Sequence, residues 1–180
     1  MKLYIKYMVS NRCKILVRDE LDKLGLHHLK VELGEVEIFE DITPTQREIL
    51  KTELLVSGLE LMEDKKAILI EKIQKVIIEM LYREEGMPKI NNSDYIGEKL
   101  GHDYNYLSNL FSEVKGTTIE HFIIVNKIER VKELLLYDDL TLTEISYRLN
   151  YSSVAHLSSQ FKKVTGLTPS YFKQFKNIRN

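Results

Sequence analysis

The strongest constraint on this 180-residue chain is a pattern that occurs twice, fifty positions apart. Phe111, Val114, Gly116, Thr118 and Phe122 recur as Phe161, Val164, Gly166, Thr168 and Phe172, and Leu107-Ser108 recurs as Leu157-Ser158. Each copy reads as the end of one helix, a glycine turn and the start of another. A duplicated helix-turn unit suits a partner that offers the same contact at two places. An α-solenoid would need three or more copies, and here there are two.

Upstream of the repeat the period changes. Lys2 to Met8 alternates, with Leu3, Ile5 and Tyr7 on one face, which predicts a half-buried strand. Asn11 to Leu24 carries Cys13, Leu16, Val17, Leu21 and Leu24 at helical spacing and stops at Gly25. Leu29, Val31 and Leu33 alternate, Gly34-Glu35 turns, and Val36 and Ile38 alternate back as a hairpin. Thr43-Pro44 opens a helix with the apolar stripe Ile49, Leu50, Leu54 and Leu55, ended by Gly58. Leu59, Leu61 and Met62 make a short last strand. The expected plan for residues 1–64 is α+β, a ferredoxin-like βαββαβ domain.

From Lys65 to the end only helical periods remain, about seven of them, for an all-α domain over residues 65–180. Ala67 to Tyr82 is amphipathic, with Ile70, Ile73, Ile77 and Met80 in line. Two units follow the helix-turn-helix plan: residues 93–114, turning at Gly101, and residues 141–164, turning at Asn150-Tyr151-Ser152. The helix between them, Ile119 to Tyr137, is roughly 28 Å long at about 1.5 Å per residue. Successive major-groove segments on one face of B-DNA lie about 34 Å apart, so duplex DNA is a fitting two-site partner.

Composition narrows the function class. The formal net charge is -1, but no acidic residue follows Glu144, while Arg148, Lys162, Lys163, Lys173, Lys176 and Arg179 are basic. That distribution fits a local anionic contact. The single cysteine, Cys13, excludes an internal disulfide and suits a reducing compartment. The N-terminus lacks the apolar run of a signal peptide or membrane helix, so a cytoplasmic protein without membrane contact is expected. There is no glycine-rich phosphate loop, H-E-x-x-H or nucleophile elbow, and the five histidines are scattered. An enzyme is disfavoured.

The run Phe161-Lys162-Lys163-Val164-Thr165-Gly166-Leu167-Thr168-Pro169-Ser170-Tyr171 resembles the signature of the AraC/XylS family of bacterial transcription regulators, roughly F-K-K-x-x-G-x-T-P-x-x-[FY]. The resemblance spans about residues 70–176 and includes Lys127 to Val131 on the linking helix. It implies a DNA-binding transcription regulator, an activator by family habit, with double-stranded DNA and RNA polymerase as partners. Base-facing positions then fall on Asn105, Ser108 and Asn109 in the first unit, and on Val154, Ala155, Ser158 and Ser159 in the second. Asparagine pairs with adenine, and a small apolar side chain meets a thymine methyl, so an A/T-leaning site is expected. Lys99, Lys115, Arg148, Lys162 and Lys163 would contact phosphates. Tyr104 and Tyr106 are candidates for stacking on sugar-phosphate, Tyr106 equally for packing within its unit. Asn150-Tyr151 stands where the family has Gly-Phe, and asparagine tolerates the left-handed turn.

The start Met8-Val9-Ser10-Asn11-Arg12-Cys13 resembles the heavy-metal-associated domain, whose M-x-C-x-x-C loop holds Cu(I) or another soft ion. Ser10 replaces the first cysteine, leaving Cys13 and Met8 as a poor chelate, so no metal or other cofactor is expected. The domain is then read as a sensor or dimerisation module. A Cu(I) chaperone or resistance protein, and a protein-interaction derivative that no longer binds DNA, are the competing readings. The oligomeric state stays open.

Overall fold

The computed structural model describes residues 1–137 and 140–174; Lys176 and Arg179 of the basic segment lie outside the described residues. The chain is mostly helical with one small antiparallel sheet, and it divides into two compact units. One comprises Met1–Lys72 with His102–Ile119, the other Ile73–Gly101 with the described residues from Glu120 onward.

The first unit begins β1 (Lys2–Lys6), α1 (Asn11–Lys23), β2 (His28–Glu32), β3 (Glu35–Ile38), α2 (Pro44–Val56) and β4 (Glu60–Leu61). The strands lie in the order β2-β3-β1-β4, every neighbouring pair antiparallel. Apolar residues of one sheet face, including Leu3, Ile5, Val31, Val36 and Ile38, share a core with Val17 and Leu21 of α1 and Leu50 and Leu54 of α2. Thr43 closes a full capping box, accepting from the Gln46 N–H while the Gln46 side chain accepts from the Thr43 N–H. That device is worth about 1 kcal/mol and marks where α2 starts.

Four sequence expectations need correction. β1 is covered on both faces: Tyr4 and Lys6 are buried as well as Leu3 and Ile5. The second cover is α5 (Tyr104–Lys115), which packs on β1 from a hundred positions later. Tyr7 leaves the strand, with φ +67° and an exposed ring. In β2 the register shifts between His28 and Lys30, so Leu29 is turned out and only Val31 of the expected stripe is buried. On α2, Ile49 and Leu55 are exposed, and Leu50 and Leu54 alone form the buried seam.

The contact between sheet and α5 is close. Gly34, in the β2–β3 turn at φ +81°, lies so near α5 that an added Cβ would sit 1.9 Å from the Val114 carbonyl oxygen. Around it, Glu35 pairs with Lys115 at 2.7 Å and Lys2 at 2.9 Å. Lys6 reaches Glu113 and Glu60 at 3.3 Å each. Burial pushes the Glu35 carboxyl up, but the Lys115 and Lys2 ammoniums beside it hold it below its usual range.

The second unit is helical among its described residues. It takes the second half of α3 (Asp64–Leu81), then α4 (Asn92–Leu100), α6 (Ile119–Tyr137) from Glu120, α7 (Leu142–Arg148), α8 (Val154–Thr165) and α9 (Pro169–Gln174). Ile73, Ile77 and Met80 of α3, Ile96 of α4, Ile128, Val131, Leu134 and Leu135 of α6, and Ile145, Leu157 and Phe161 are fully or nearly fully buried. Tyr82, just past α3, donates to Glu133 of α6 at 2.7 Å, and Arg130 lies 4.5 Å from the Tyr82 ring. Among the described residues no helix is long and apolar enough to cross a membrane.

Gly34→Ala is expected to lower unfolding stability by about 3 kcal/mol or more, because a left-handed backbone and a backbone clash act together. Gly25→Ala, at φ +68° with nothing within 4 Å of the added Cβ, should cost about 1 kcal/mol. Urea unfolding midpoints measure both; equal losses would contradict the close approach.

Candidate nucleic-acid interface

The second helix-turn-helix is α7, the segment 149–153 and α8, all within the second unit. α7 begins with a capping box between Thr141 and Glu144. Asn150 then adopts φ +52°, the left-handed conformation asparagine tolerates best after glycine. Its amide donates to the Pro88 carbonyl at 2.6 Å and the Met87 carbonyl at 3.4 Å, and Lys89 donates to its oxygen at 2.7 Å. The turn is thus pinned by the segment before α4. Tyr151 is buried, donates to Gln160 at 2.9 Å and meets the His156 ring edge-on at 5.3 Å. Ser153 caps α8 by accepting from the His156 N–H at 3.0 Å.

α8 buries Leu157 and Phe161 and turns its other residues outward. Ala155, Ser159, Lys162 and Lys163 are exposed, while Val154 and Ser158 are partly so. Glycine at 166 in the left-handed region ends the helix. The expected base-facing and phosphate-facing groups of this copy therefore share one accessible side. Arg148 is partly exposed at the end of α7, and its carbonyl accepts from the Met87 N–H at 2.9 Å.

In the first copy, α4 belongs to the second unit and α5 to the first. α4 buries Ile96, exposes Lys99 with its ammonium 5.6 Å from the Tyr95 ring, and ends at Gly101 at φ +65°. α5 is capped by Asp103, which accepts from the Tyr106 N–H at 3.2 Å. Asn105 and Asn109 are exposed and Ser108 partly so, a polar edge like that of α8. Lys115 is not on that edge: its ammonium pairs with Glu35 and lies 5.7 Å from the Tyr4 ring.

Three features escaped the sequence reading. Lys127 of α6 places its ammonium 3.9 Å from the Tyr151 ring centre. Burial pushes that ammonium down to about 8, and the ring face works in the opposite direction. A lysine in the middle of a helical stripe carries no local mark of this. Leu110 and Val114 are buried where their repeat counterparts Gln160 and Val164 are partly accessible. Lys65, Lys66 and Lys72 line a cleft beside α5, and the seven-residue spacing of Lys65 and Lys72, which puts both on one side of a helix, was the available signal.

At the N-terminal loop, Met8 is packed in the core of the first unit. The Cys13 thiol lies 3.6 Å from the Ser10 hydroxyl. Burial pushes that thiol up, but the Ser10 hydrogen bond and backbone groups at the helix start hold it below its ordinary value. Among the described residues no group of three or more His, Cys, Asp or Glu is placed to hold a metal ion.

Comparison with known proteins fits this geometry. The family profile described as helix-turn-helix domain matches residues 96–174. Over 78 residues the chain is 33% identical to an uncharacterized HTH-type transcriptional regulator of Staphylococcus aureus (strain MSSA476), covering 43% of this chain and 10% of that protein. Another, YtdP of Bacillus subtilis (strain 168), is 28% identical over 83 residues, covering 46% of this chain and 11% of its own. The chain thus spans about a tenth of the length of these curated relatives. A transcriptional regulator from Chromobacterium violaceum, of the AraC-type DNA-binding domain-containing proteins, has the same fold at TM-score 0.53 and 17% identity, over 63% of this chain and 96% of that one. A DNA-binding transcriptional dual regulator from Escherichia coli K-12 aligns at TM-score 0.51 and 15% identity, over 61% of this chain and 93% of that one.

The helix-turn-helix domain depends on its asparagine turn. Asn150→Ala is expected to cost about 2–3 kcal/mol, from a left-handed alanine and two carbonyls that lose their donor. Asn150→Gly should cost about half as much, since only the hydrogen bonds go. Thermal unfolding separates the two; equal losses would assign the whole effect to the side chain.

Proposed function

We propose that this chain binds double-stranded DNA through both helix-turn-helix units and regulates transcription. The observation that carries the reading is the second unit: a capped, tightly turned scaffold whose α8 offers Val154, Ala155, Ser158 and Ser159 along one accessible side, with Lys162 and Lys163 exposed beside them. Asn105, Ser108 and Asn109 are the base-facing set of the first unit. Lys162, Lys163, Lys99 and Arg148 are the phosphate-facing set, and Lys115 is left to Glu35. The named relatives are HTH-type transcriptional regulators, which supports the same class.

Residues 65–180 are the DNA-binding part of this reading, with RNA polymerase as the further partner that the AraC/XylS resemblance implies. Residues 1–64 are a ferredoxin-like module, supported by the strand order β2-β3-β1-β4 with α1 and α2 on one sheet face. Its role is to sense or to dimerise. The small, mostly uncharged side chains on both reading edges suit an A/T-leaning site with modest discrimination per base pair.

Fluorescence anisotropy with a duplex from the DNA upstream of its own gene tests the proposal. Binding should be salt-sensitive, and Lys162→Glu/Lys163→Glu should weaken it at least about tenfold and lower the log–log salt slope by about 2. Absence of binding at low salt would refute it.

A further inference from the structure

The two copies of the repeat differ in where their cations are. Lys162 and Lys163 of α8 correspond, fifty positions earlier, to Ser112 and Glu113 of α5. Glu113 pairs with Lys6 at 3.3 Å, and Lys115 with Glu35 at 2.7 Å. The C-terminal end of α5 is therefore occupied by the sheet of its own unit. If α5 lies on DNA as proposed above, its phosphate contacts must come from elsewhere.

Cations gather at its other end. A cleft of about 290 Å³ lies between the first turns of α3 and the start of α5. Lys65, Lys66 and Lys72 line it from α3, and His102 and Tyr106 from the other side. Among the described residues no acidic one lines it. Glu71, a neighbouring acid on α3, accepts from the Tyr4 hydroxyl at 3.4 Å. Among the described residues none of the three lysines has an ion pair. Lys65, Lys72, His102 and Tyr106 are exposed. Sites that enclose small molecules usually reach about 300–1,000 Å³ and bury most of the ligand. An open cleft just below that range, with Ile68 and Leu69 between the lysines, suits a polyanion lying across it better than an enclosed metabolite. Tyr106 directly follows Asn105, so the cleft adjoins the edge that α5 would turn to bases.

We propose that this cleft lies against the backbone of the duplex read by α5, with each of its three α3 lysines facing a phosphate, so that they supply the contacts that Ser112 and Glu113 cannot. The inference rests on the DNA-binding reading above. It extends the DNA-contacting surface beyond the helix-turn-helix domain, onto the helix that precedes it.

The test uses the full chain with Lys65→Gln, Lys66→Gln and Lys72→Gln combined, beside Lys162→Gln/Lys163→Gln, with duplex affinity followed against salt. Each lost phosphate contact lowers the log–log slope by about 0.9. The triple variant should lose a slope of about 2–3, bind all sequences more weakly by a similar factor, and keep the circular dichroism spectrum and melting point of the unaltered chain. Lys72→Gln alone, the smaller perturbation, should lose a slope of about 1. An unchanged slope in both lysine variants of the cleft, with a reduced slope in Lys162→Gln/Lys163→Gln, would overturn this proposal and leave the DNA reading intact. No salt-sensitive binding by the unaltered chain would overturn both. Titration with inorganic phosphate separates the remaining source: saturable binding lost in the triple variant, with its DNA slope unchanged, would make the cleft a small-anion site and overturn the proposal.

Discussion

The first unit depends on one close approach, the Gly34 backbone against the Val114 carbonyl at the end of α5. Only a residue without Cβ permits it, and the charges around it are arranged to suit. Lys6 is 7% exposed, a burial that an ammonium tolerates only when paired, and Glu113 and Glu60 both reach it. Lys115 and Lys2 flank Glu35 in the same way. Removing a single member would leave a charge with too few partners, which is the costly event in such a cluster. The second face of β1 is thereby closed by a helix from the helix-turn-helix segment.

This packing explains why the two copies diverge. Their shared residues, Leu107 with Phe111 and Leu157 with Phe161, are buried in both. The side of α5 that meets the sheet carries Leu110 and Glu113 where α8 has Gln160 and Lys163, and Val114 is buried where its counterpart Val164 is accessible. One scaffold therefore carries two surfaces. α8 has all its outward side available to a nucleic acid, and α5 divides its surface between the sheet and its polar edge.

Much of this was legible in the chain. The fifty-residue repeat located both helix-turn units. Thr43-Pro44 and Thr141 marked helix starts because capping is local chemistry, visible within four residues. Asn150 foretold its own left-handed turn. What stayed hidden was long-range. An alternating strand such as Leu3-Tyr4-Ile5-Lys6 looks half-buried until α5 arrives, and no local signal marks Lys6 or Val114 as buried. Leu29 and Tyr7 failed for another reason: a register shift and a positive φ broke the period that placed them inward. At the candidate interface, the resemblance assigned Lys115 to phosphate by position, and its ammonium pairs with a glutamate eighty positions earlier.

On the function proposed above, one chain places two reading helices on one duplex. Hydroxyl-radical footprinting on a bound duplex addresses it most directly. Two protected windows on one face of the DNA, separated by about one helical turn of 10–10.5 base pairs, are the predicted result. A single window, or protection of neither strand at concentrations that saturate binding, would contradict it.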